Sequence, residues 1–525
     1  MSERRTLATP PLAAISGPAF WAASELRIAL WDRHARDPEK AQLATLFSLC
    51  RAAKDTEIGR ALRLREVRSY RDFRDRVPLR SYVEYEPYFL RMRAGERDVL
   101  WPGLVPYFCQ SSGTSNTPAN VKHLPVSEQQ IVWQQRAGVD LAARYVTMTG
   151  DKAFTSGYTL ACWPPGVMKK AGPVEMVSNP GLMSHRMPRL ARLVNLPEPE
   201  IRDIEDCETK LTRMAEAYLD HDIRAMSGTT CWFSLVFDRL LAAARARGRR
   251  AESVSDVWPN LKVLFGGGVP SSPYRPAITA RVGRPLVFID NYNATEGGIL
   301  AATDRDGDDS LLILPHRGVF FELIRREEHG DPNARRAPLW EAETGVDYSL
   351  ALSTSSGLFG YLIGDLVRFT SLFPHRIVFA GRVSGMLSLT QELTTSRELE
   401  RAVAEAVAEV PCAIVDFGAA TEVDPDHGPL GRYLFFVEFE RDPADLPAFA
   451  RAVDRGLCRQ NHVYEIHREN QVAILPPEVI PLVSGGARGF MAALGQESFQ
   501  RKFPRILDPE KREAIRAFER RTREA

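Results

Sequence analysis

The sequence predicts an α/β protein: a large multi-layer N-terminal domain of β-sheets flanked by helices, and a small mobile α+β domain at the C-terminus. Two observations carry that expectation. Short β-rich runs, GYTLACW (157–163), LKVLFGG (261–267) and PLVFIDNY (285–292), alternate with helical stretches such as DCETKLTRMAEAYLD (206–220), the rhythm of largely buried strands wrapped by helices. Near residue 384 the pattern changes to a shorter helix-and-strand series of its own. The domains are therefore set at 1–383 and 384–525.

The elements follow in order. From Ser24 to about Arg60 the apolar residues of ELRIALW and AQLATLFSLC recur at steps of three and four, which reads as helices packing on a larger body. In the second domain Ser396 is placed to cap a helix whose Leu399, Val403, Val407 and Val410 share one face. A strand at YLFFVEF (433–439), a helix around 444–458 and a strand near VAIL (472–475) come next. The join GRVSGM (381–386) carries two Gly and a Ser, as a hinge would, and as a plain surface turn would too.

Composition narrows the function. At 525 residues and 44% hydrophobic the chain has ample core, and length alone allows three or four domains of about 150 residues. Sixty-eight basic against 67 acidic residues leave a net charge of +1, so no field draws in nucleic acid or an anionic membrane. Small-molecule chemistry is the default. The seven cysteines form no CxxC pair and no Cys/His cluster, which fits reduced thiols in a cytoplasmic protein. The opening MSERRTLATPPLAAISGPAFWAA starts like a signal peptide, but Pro, Ser and Gly interrupt its apolar run. No run of about 18 apolar residues occurs, and no heptad pattern, so a monomer without a membrane span is expected.

The stretch FCQSSGTSNTPANVKHLPVS (108–127) is the first chemical signal. Ser111, Ser112, Thr114 and Ser115 offer hydroxyls, Gly113 lets the backbone turn tightly, and Lys122 adds a point charge, a set suited to phosphate oxygens. It is neither a Walker loop nor GxGxxG, and a solvated turn has the same composition. Downstream, GGGV (266–269) ends an apolar strand, and its Gly267 and Gly268 expose backbone on which a flat ring can lie. YNATEGG (292–298) sets Tyr292, Thr295 and Glu296 within five residues, enough to serve a ring, a phosphate and a metal. GYLIGDLVRF (360–369) places Asp365 after a Gly at a turn, where a carboxylate can accept from both ribose hydroxyls, and Arg382 follows in FAGR. Each has a bland reading: turn residue, helix cap, surface charge. DRDGDD (304–309) has the acidic start of a calcium loop, but Pro315 stands where the bidentate Glu belongs. RARGRR (245–250) is a basic helix end, and Ser112 lacks a GxSxG elbow and His185 an orienting partner for a hydrolase.

In this order the runs resemble the adenylate-forming superfamily, and more closely its auxin-responsive acyl acid amido synthetases, as a bacterial-type member. VPLRSYVEYEPYFLRMRAGERDVL (77–100), YNATEGG, GLFGYLIGDLV, FPHRIVFAGR and QRKFPR (500–505) sit where that family's signatures fall, so coverage runs from about Thr45 to Arg505. The resemblance implies ATP and Mg2+ as cofactors and a two-step reaction. A carboxylic acid attacks the α-phosphate of ATP, giving an acyl adenylate and pyrophosphate; an amine, an amino acid in this family, then displaces AMP. It further implies roles. The 111–115 loop and Lys122 cradle phosphates, Glu296 holds Mg2+, and Thr295 touches the α-phosphate. Tyr292, Gly267 and Gly268 flank the adenine, Asp365 takes the ribose, Arg382 joins the nucleotide site, and Lys502 arrives from the small domain as the catalytic cation. The small domain must then swing onto the large one, giving the hinge a purpose.

Some residues depart from the family pattern. Asn116 and Thr117 replace the second Gly of the SSGT loop, Gly360 and Leu362 stand where Arg is common, and TQEL (390–393) replaces GEKL. Two alternatives therefore stay open: a ligase passing the acyl group to a thiol such as coenzyme A, and a nucleotide-binding homologue with weakened catalysis. Trp163, Met183, His185, Trp232 and Phe233 are candidates to line an acyl pocket, and a core role is as good a reading for each aromatic.

Overall fold

Two helices, Ala13–Arg36 and Pro38–Ala53, open the fold. Asp37 accepts from the Lys40 backbone and Pro38 follows it, a cap plus a pre-set φ that starts the second helix where the first stops. The computed structural model describes residues 7–524 apart from 12, 111–121, 269, 273, 330, 332, 384–385, 388, 390–391, 393, 424–430, 470–473 and 496–501. The chain divides into a larger unit, residues 1–270 with 281–378, and a smaller one, residues 271–280 with 379–525. The stretch 271–280 thus joins the smaller unit, although its place in the sequence lies deep in the first half. The join GRVSGM falls partly outside the described residues.

The larger unit is built on a sheet of twelve strands among the described residues. Asn195–Leu196, Tyr158–Cys162, Ile223–Thr229, Val263–Gly267 and Val287–Ala294 run parallel to one another. From Gly298–Ala302 onward the paired registers become antiparallel. The three sequence runs read as strands are strands, and DCETK begins the helix Cys207–Ala217. Ile28 and Trp31 of the first helix and Ala137 and Leu141 of the helix Glu128–Thr149 pack with Val263 and Ile289 of the sheet. Each buried Ile, Leu or Val of this set stabilises the fold by about 1.5–3 kcal/mol. A separate four-stranded sheet, in order His123–Val126, Tyr107–Gln110, Val174–Ser178 and Lys169–Ala171, completes this unit.

The smaller unit is a three-stranded sheet, Ala413–Val423, Gly431–Arg441 and Glu478–Leu482, covered by the helices Ser396–Glu409 and Leu446–Gln460. Thr395, not Ser396, caps the first of these, in a capping box with Glu398. The two helices approach closely at Gly456, where a Cβ would sit 2.7 Å from the Cα of Ala402. Residues 472 and 473 of the VAIL run lie outside the described residues; Ile474 makes one isolated bridge to Gly431, and Glu478–Leu482 pairs as the third strand.

In the larger unit two imidazoles are held neutral. Burial pushes His375 down to about 4, and burial beside Arg317 and His34 pushes His316 to about 2. The unfolded chain binds these protons below about pH 6.5 while the folded chain does not. Stability is therefore expected to fall as pH drops from 6.5, by about 1.4 kcal/mol per unit for each ring, with His375 ceasing to contribute near 4. Urea unfolding of His375→Phe at pH 7, 6 and 5 should show a shallower loss than the parent; an unchanged slope would remove His375 from this account.

Candidate functional site

The strand pair Tyr107–Gln110 and His123–Val126 closes in register at Gln110 and His123, which brings the two ends of the intervening loop together. Ser111, Ser112, Gly113, Thr114 and Ser115 themselves lie outside the described residues. At the loop's exit the Lys122 ammonium stands 5.4 Å from the centre of the Tyr82 ring, and the His123 backbone donates to the Tyr82 hydroxyl at 3.3 Å.

Four residues later the helix Glu128–Thr149 begins, with Ser127 as its cap. Here the sequence reading missed a buried network. The Gln130 backbone donates to Ser127 Oγ at 3.1 Å, Ser127 Oγ donates to the Ser355 carbonyl at 2.5 Å, and the Ser127 backbone donates to Ser356 Oγ at 2.9 Å. Ser356 in turn donates to the Gln130 side-chain oxygen, and Gln130 Nε2 donates to the Thr295 carbonyl at 2.9 Å. One glutamine thus ties the loop-bearing hairpin to the TEGG turn and to the segment before Gly360. A signal was present, since SEQQ (127–130) has the S-x-x-Q form of a helix start, but nothing local says what the Gln amide reaches.

The glycine run ends the strand Val263–Gly267, with Gly266 opposite Asp290 and Gly267 opposite Asn291. A Cβ on Gly266 would lie 2.6 Å from Thr230 Oγ1 and 2.8 Å from Asp290 Oδ1, and Gly268 adopts φ +81°. Only glycine fits at 266, at the carboxyl ends of the parallel strands, where α/β sheets hold ligands. Tyr292 lies inside the strand Val287–Ala294, as the run PLVFIDNY predicts, and its hydroxyl donates to Asp365 Oδ2 at 2.7 Å.

Asp365 is not at a turn. It sits within the strand Tyr361–Ser371, just after Gly364 (φ +80°), where the pairing with Asp347–Thr354 slips register. This is a β-bulge, which re-aims a side chain out of a regular ladder. Burial, and after it the charge of Glu296 with Tyr82, Tyr85 and Asp365 contributing, holds the Tyr361 phenol well above its ordinary value. Lys122, Tyr82, Tyr361, Glu296, Asp365 and Tyr292 are therefore linked through one neighbourhood of the larger unit.

Arg382 closes the strand Arg376–Arg382. Trp163 follows the strand Tyr158–Cys162, and its carbonyl accepts from the buried Lys210 ammonium at 2.8 Å. Phe233 is fully buried at the head of the helix Phe233–Ala246, Trp232 is nearly so, and His185 is exposed at the end of the helix Asn179–His185. In the smaller unit Lys502 is half-buried and acts electrostatically on Glu400. Next to it Arg505 donates to Glu400 at 3.0 Å and Asp416 at 2.5 Å, and Tyr274 donates to the same Asp416 oxygen at 3.1 Å. That buried arginine fixes the segment carrying Lys502.

Asp304 of the discounted acidic turn is bound to Arg376. Among the described residues no group of three His, Cys, Asp or Glu side chains is arranged to hold a metal, and no helix is long and apolar enough to cross a membrane.

Models of the GH3 family N-terminal, central and C-terminal domains match residues 27–203, 312–382 and 397–511. The jasmonoyl–L-amino acid synthetase GH3.5 of Oryza sativa subsp. japonica is 26% identical over 50% of this chain and 48% of its own length. The indole-3-acetic acid-amido synthetase GH3.10 of Arabidopsis thaliana is 26% identical over 43% of this chain and 41% of its own. The chain thus spans about half the length of the curated relatives it matches. Among solved structures, the AtGH3.15 acyl acid amido synthetase in complex with 2,4-DB superimposes with a TM-score of 0.78 at 17% identity, covering 94% of this chain and 96% of that one. A 2-hydroxyisobutyryl-CoA ligase in the postadenylation state reaches 0.59 at 14% identity, covering 93% and 92%. The fold is that of the adenylate-forming enzymes. With three of its domain models matched in chain order, the protein belongs to the GH3 family.

Proposed function

We propose that this protein is an ATP-dependent amido synthetase. In the first step a carboxylate oxygen of a small acid attacks the α-phosphorus of ATP, the bond to the β-phosphate breaks, and pyrophosphate leaves. In the second an amine, an amino acid on this reading, attacks the acyl carbon; AMP departs with the bonding pair and the amine loses its proton. The observation that carries the proposal is the Tyr292–Asp365 hydrogen bond of 2.7 Å beside the glycine-ended strand and the TEGG turn. It fixes an aromatic face for adenine and a carboxylate for ribose at once, so neither must be ordered when ATP binds.

In this assignment Lys122 and the 111–115 loop hold phosphates, Thr295 and Arg382 contact the nucleotide, and Lys502 supplies positive charge where it builds in the transition state. The smaller unit closes over the nucleotide to bring Lys502 there, keeping water from the adenylate. Glu296 fits Mg2+, since that ion is commonly held by one carboxylate together with substrate phosphates; when bound it neutralises phosphate charge. Trp163, His185 and Trp232 are retained as acyl-site candidates, while Phe233 is assigned to the core. We further propose a cytoplasmic monomer without nucleic-acid or membrane partners; Cys50, Cys109, Cys162, Cys207, Cys412 and Cys458 are in no disulfide among the described residues, which supports that reading.

Pyrophosphate release with ATP and Mg2+ is to be screened over acids, and the acids that respond paired with amino acids, hydroxylamine and coenzyme A. Amide or hydroxamate with stoichiometric AMP supports the reading. AMP release that depends on coenzyme A alone would reassign the acceptor, and ATP binding without pyrophosphate from any acid would reject the enzyme.

A further inference from the structure

A cavity lies in the larger unit, on a different face of the helix Glu128–Thr149 from Gln130. It has a volume of about 580 Å3 and is walled by the helices Ala13–Arg36, Pro38–Ala53 and Glu128–Thr149 and by the turn at residues 316–318. That is the size of pocket that takes a small organic ligand.

The walls are clamped in place by two buried polar side chains. Gln42, 0% exposed, donates to the carbonyls of Pro315 and Val319 at 2.7 and 2.9 Å and accepts from the Phe321 backbone at 2.8 Å. Asp140, also 0% exposed, receives Arg317 at 2.5 Å and, from the first helix, Arg27. The cavity is therefore preformed.

Its lining has an excess of positive charge. Arg33, Lys40, Arg136 and Arg317 face it with Asp37 as the one acid. Asp37 already caps the helix Pro38–Ala53, accepting from the Lys40 backbone at 3.2 Å, and Arg317 is matched by Asp140. Flat faces are present as well. His34 and His316 stack with centroids 4.7 Å apart and planes 17° from parallel, and the Arg136 guanidinium stands 4.9 Å from the Trp133 ring centre. Gly318 lets that indole lie against backbone, since a Cβ there would meet Trp133 Cδ1 at 2.3 Å. Leu30 and Ala44 add apolar surface. Trp133 Nε1 and His316 Nδ1 are buried with no hydrogen-bond partner among the described residues, and a buried polar atom left so costs about 1–3 kcal/mol until something pairs with it.

We infer that this cavity binds an organic anion made of a planar apolar ring carrying a carboxylate or phosphate. The cations take the anionic group, and the outer imidazole surface with Leu30 and Ala44 takes the ring. The inference is independent of the amido synthetase reading: on the same helix Gln130 faces the TEGG turn, whereas Trp133 and Arg136 face the cavity.

Calorimetric titration of the full chain with phenyl phosphate, benzoate, inorganic phosphate and benzamide tests it. Phenyl phosphate or benzoate should bind at least tenfold more tightly than inorganic phosphate, which lacks the ring, and than benzamide, which lacks the charge. The cavity-filling Ala44→Trp, at an exposed position, and the double variant Arg33→Glu/Lys40→Glu should each weaken that binding tenfold or more while ATP binds as in the parent. Equal affinity in the parent and both variants, or no binding by the parent up to a concentration on the order of 10 mM, would overturn the inference. Because ATP binding is read in the same proteins, failure here is distinct from failure of the nucleotide site.

Discussion

Lys502→Ala is expected to lower acid-dependent pyrophosphate release by about 10²–10³-fold while ATP affinity changes by less than about threefold. The asymmetry is the point of the prediction. On the proposed reading the ammonium meets negative charge that grows as the carboxylate attacks, so its contribution appears in the transition state and little of it in bound ATP. The local structure suits this role: Arg505 anchors the segment on Glu400 and Asp416, and Lys502 is close enough to draw on the Glu400 charge. Lys502→Arg keeps the charge but spreads it over a planar fork on a different stem, and should recover only part of the rate. Single-turnover pyrophosphate release and ATP calorimetry on the three proteins separate the two effects. A variant that loses ATP binding and turnover together would make Lys502 a binding residue, and one that loses neither would remove it from the site.

Asp365→Ala should do the opposite, raising the ATP dissociation constant by about a hundredfold with a smaller effect on the chemical step. The carboxylate is assigned to both ribose hydroxyls, and hydrogen bonds to a charged group contribute about 1.5–3 kcal/mol each. Tyr292→Phe removes the 2.7 Å bond that holds this carboxylate and is expected to cost about tenfold, a typical single hydrogen bond. Because the two side chains act through one contact, the double variant should bind ATP about as weakly as Asp365→Ala alone. Full additivity, or unchanged affinity in Asp365→Ala, would separate these residues from the nucleotide.

The sequence showed elements whose cause is local and missed those whose cause is a distant partner. LKVLFGG and PLVFIDNY are strands because their apolar runs are short, bounded and rich in branched side chains. Asp365 was read as a turn residue because a glycine before an acid looks the same at a turn and at a bulge; the register slip depends on the strand across from it. EVIPL contains Pro481 and does not read as a strand from its composition, yet Glu478–Leu482 is one. It lies at the edge of its sheet, where a missing N–H is tolerated.

Gly360 shows what resemblance alone conceals. An arginine is common there in the family, and its absence suggested weakened charge near the nucleotide. In this chain the residue has φ +64°, and a Cβ would lie 2.7 Å from the Pro78 carbonyl, so the backbone has no room for any side chain without moving. The Ser127–Gln130–Ser356 network was invisible for a related reason, since Ser356 is 226 residues from Gln130 and 229 from Ser127 in the chain.

Isotope transfer tests the central claim most directly. With an acid that supports turnover, labelled with 18O in its carboxyl group, the proposed route predicts that AMP acquires one labelled oxygen, because the acid's attacking oxygen stays on the α-phosphorus when the amine displaces it. Unlabelled AMP, or ADP and inorganic phosphate as the products, would contradict it.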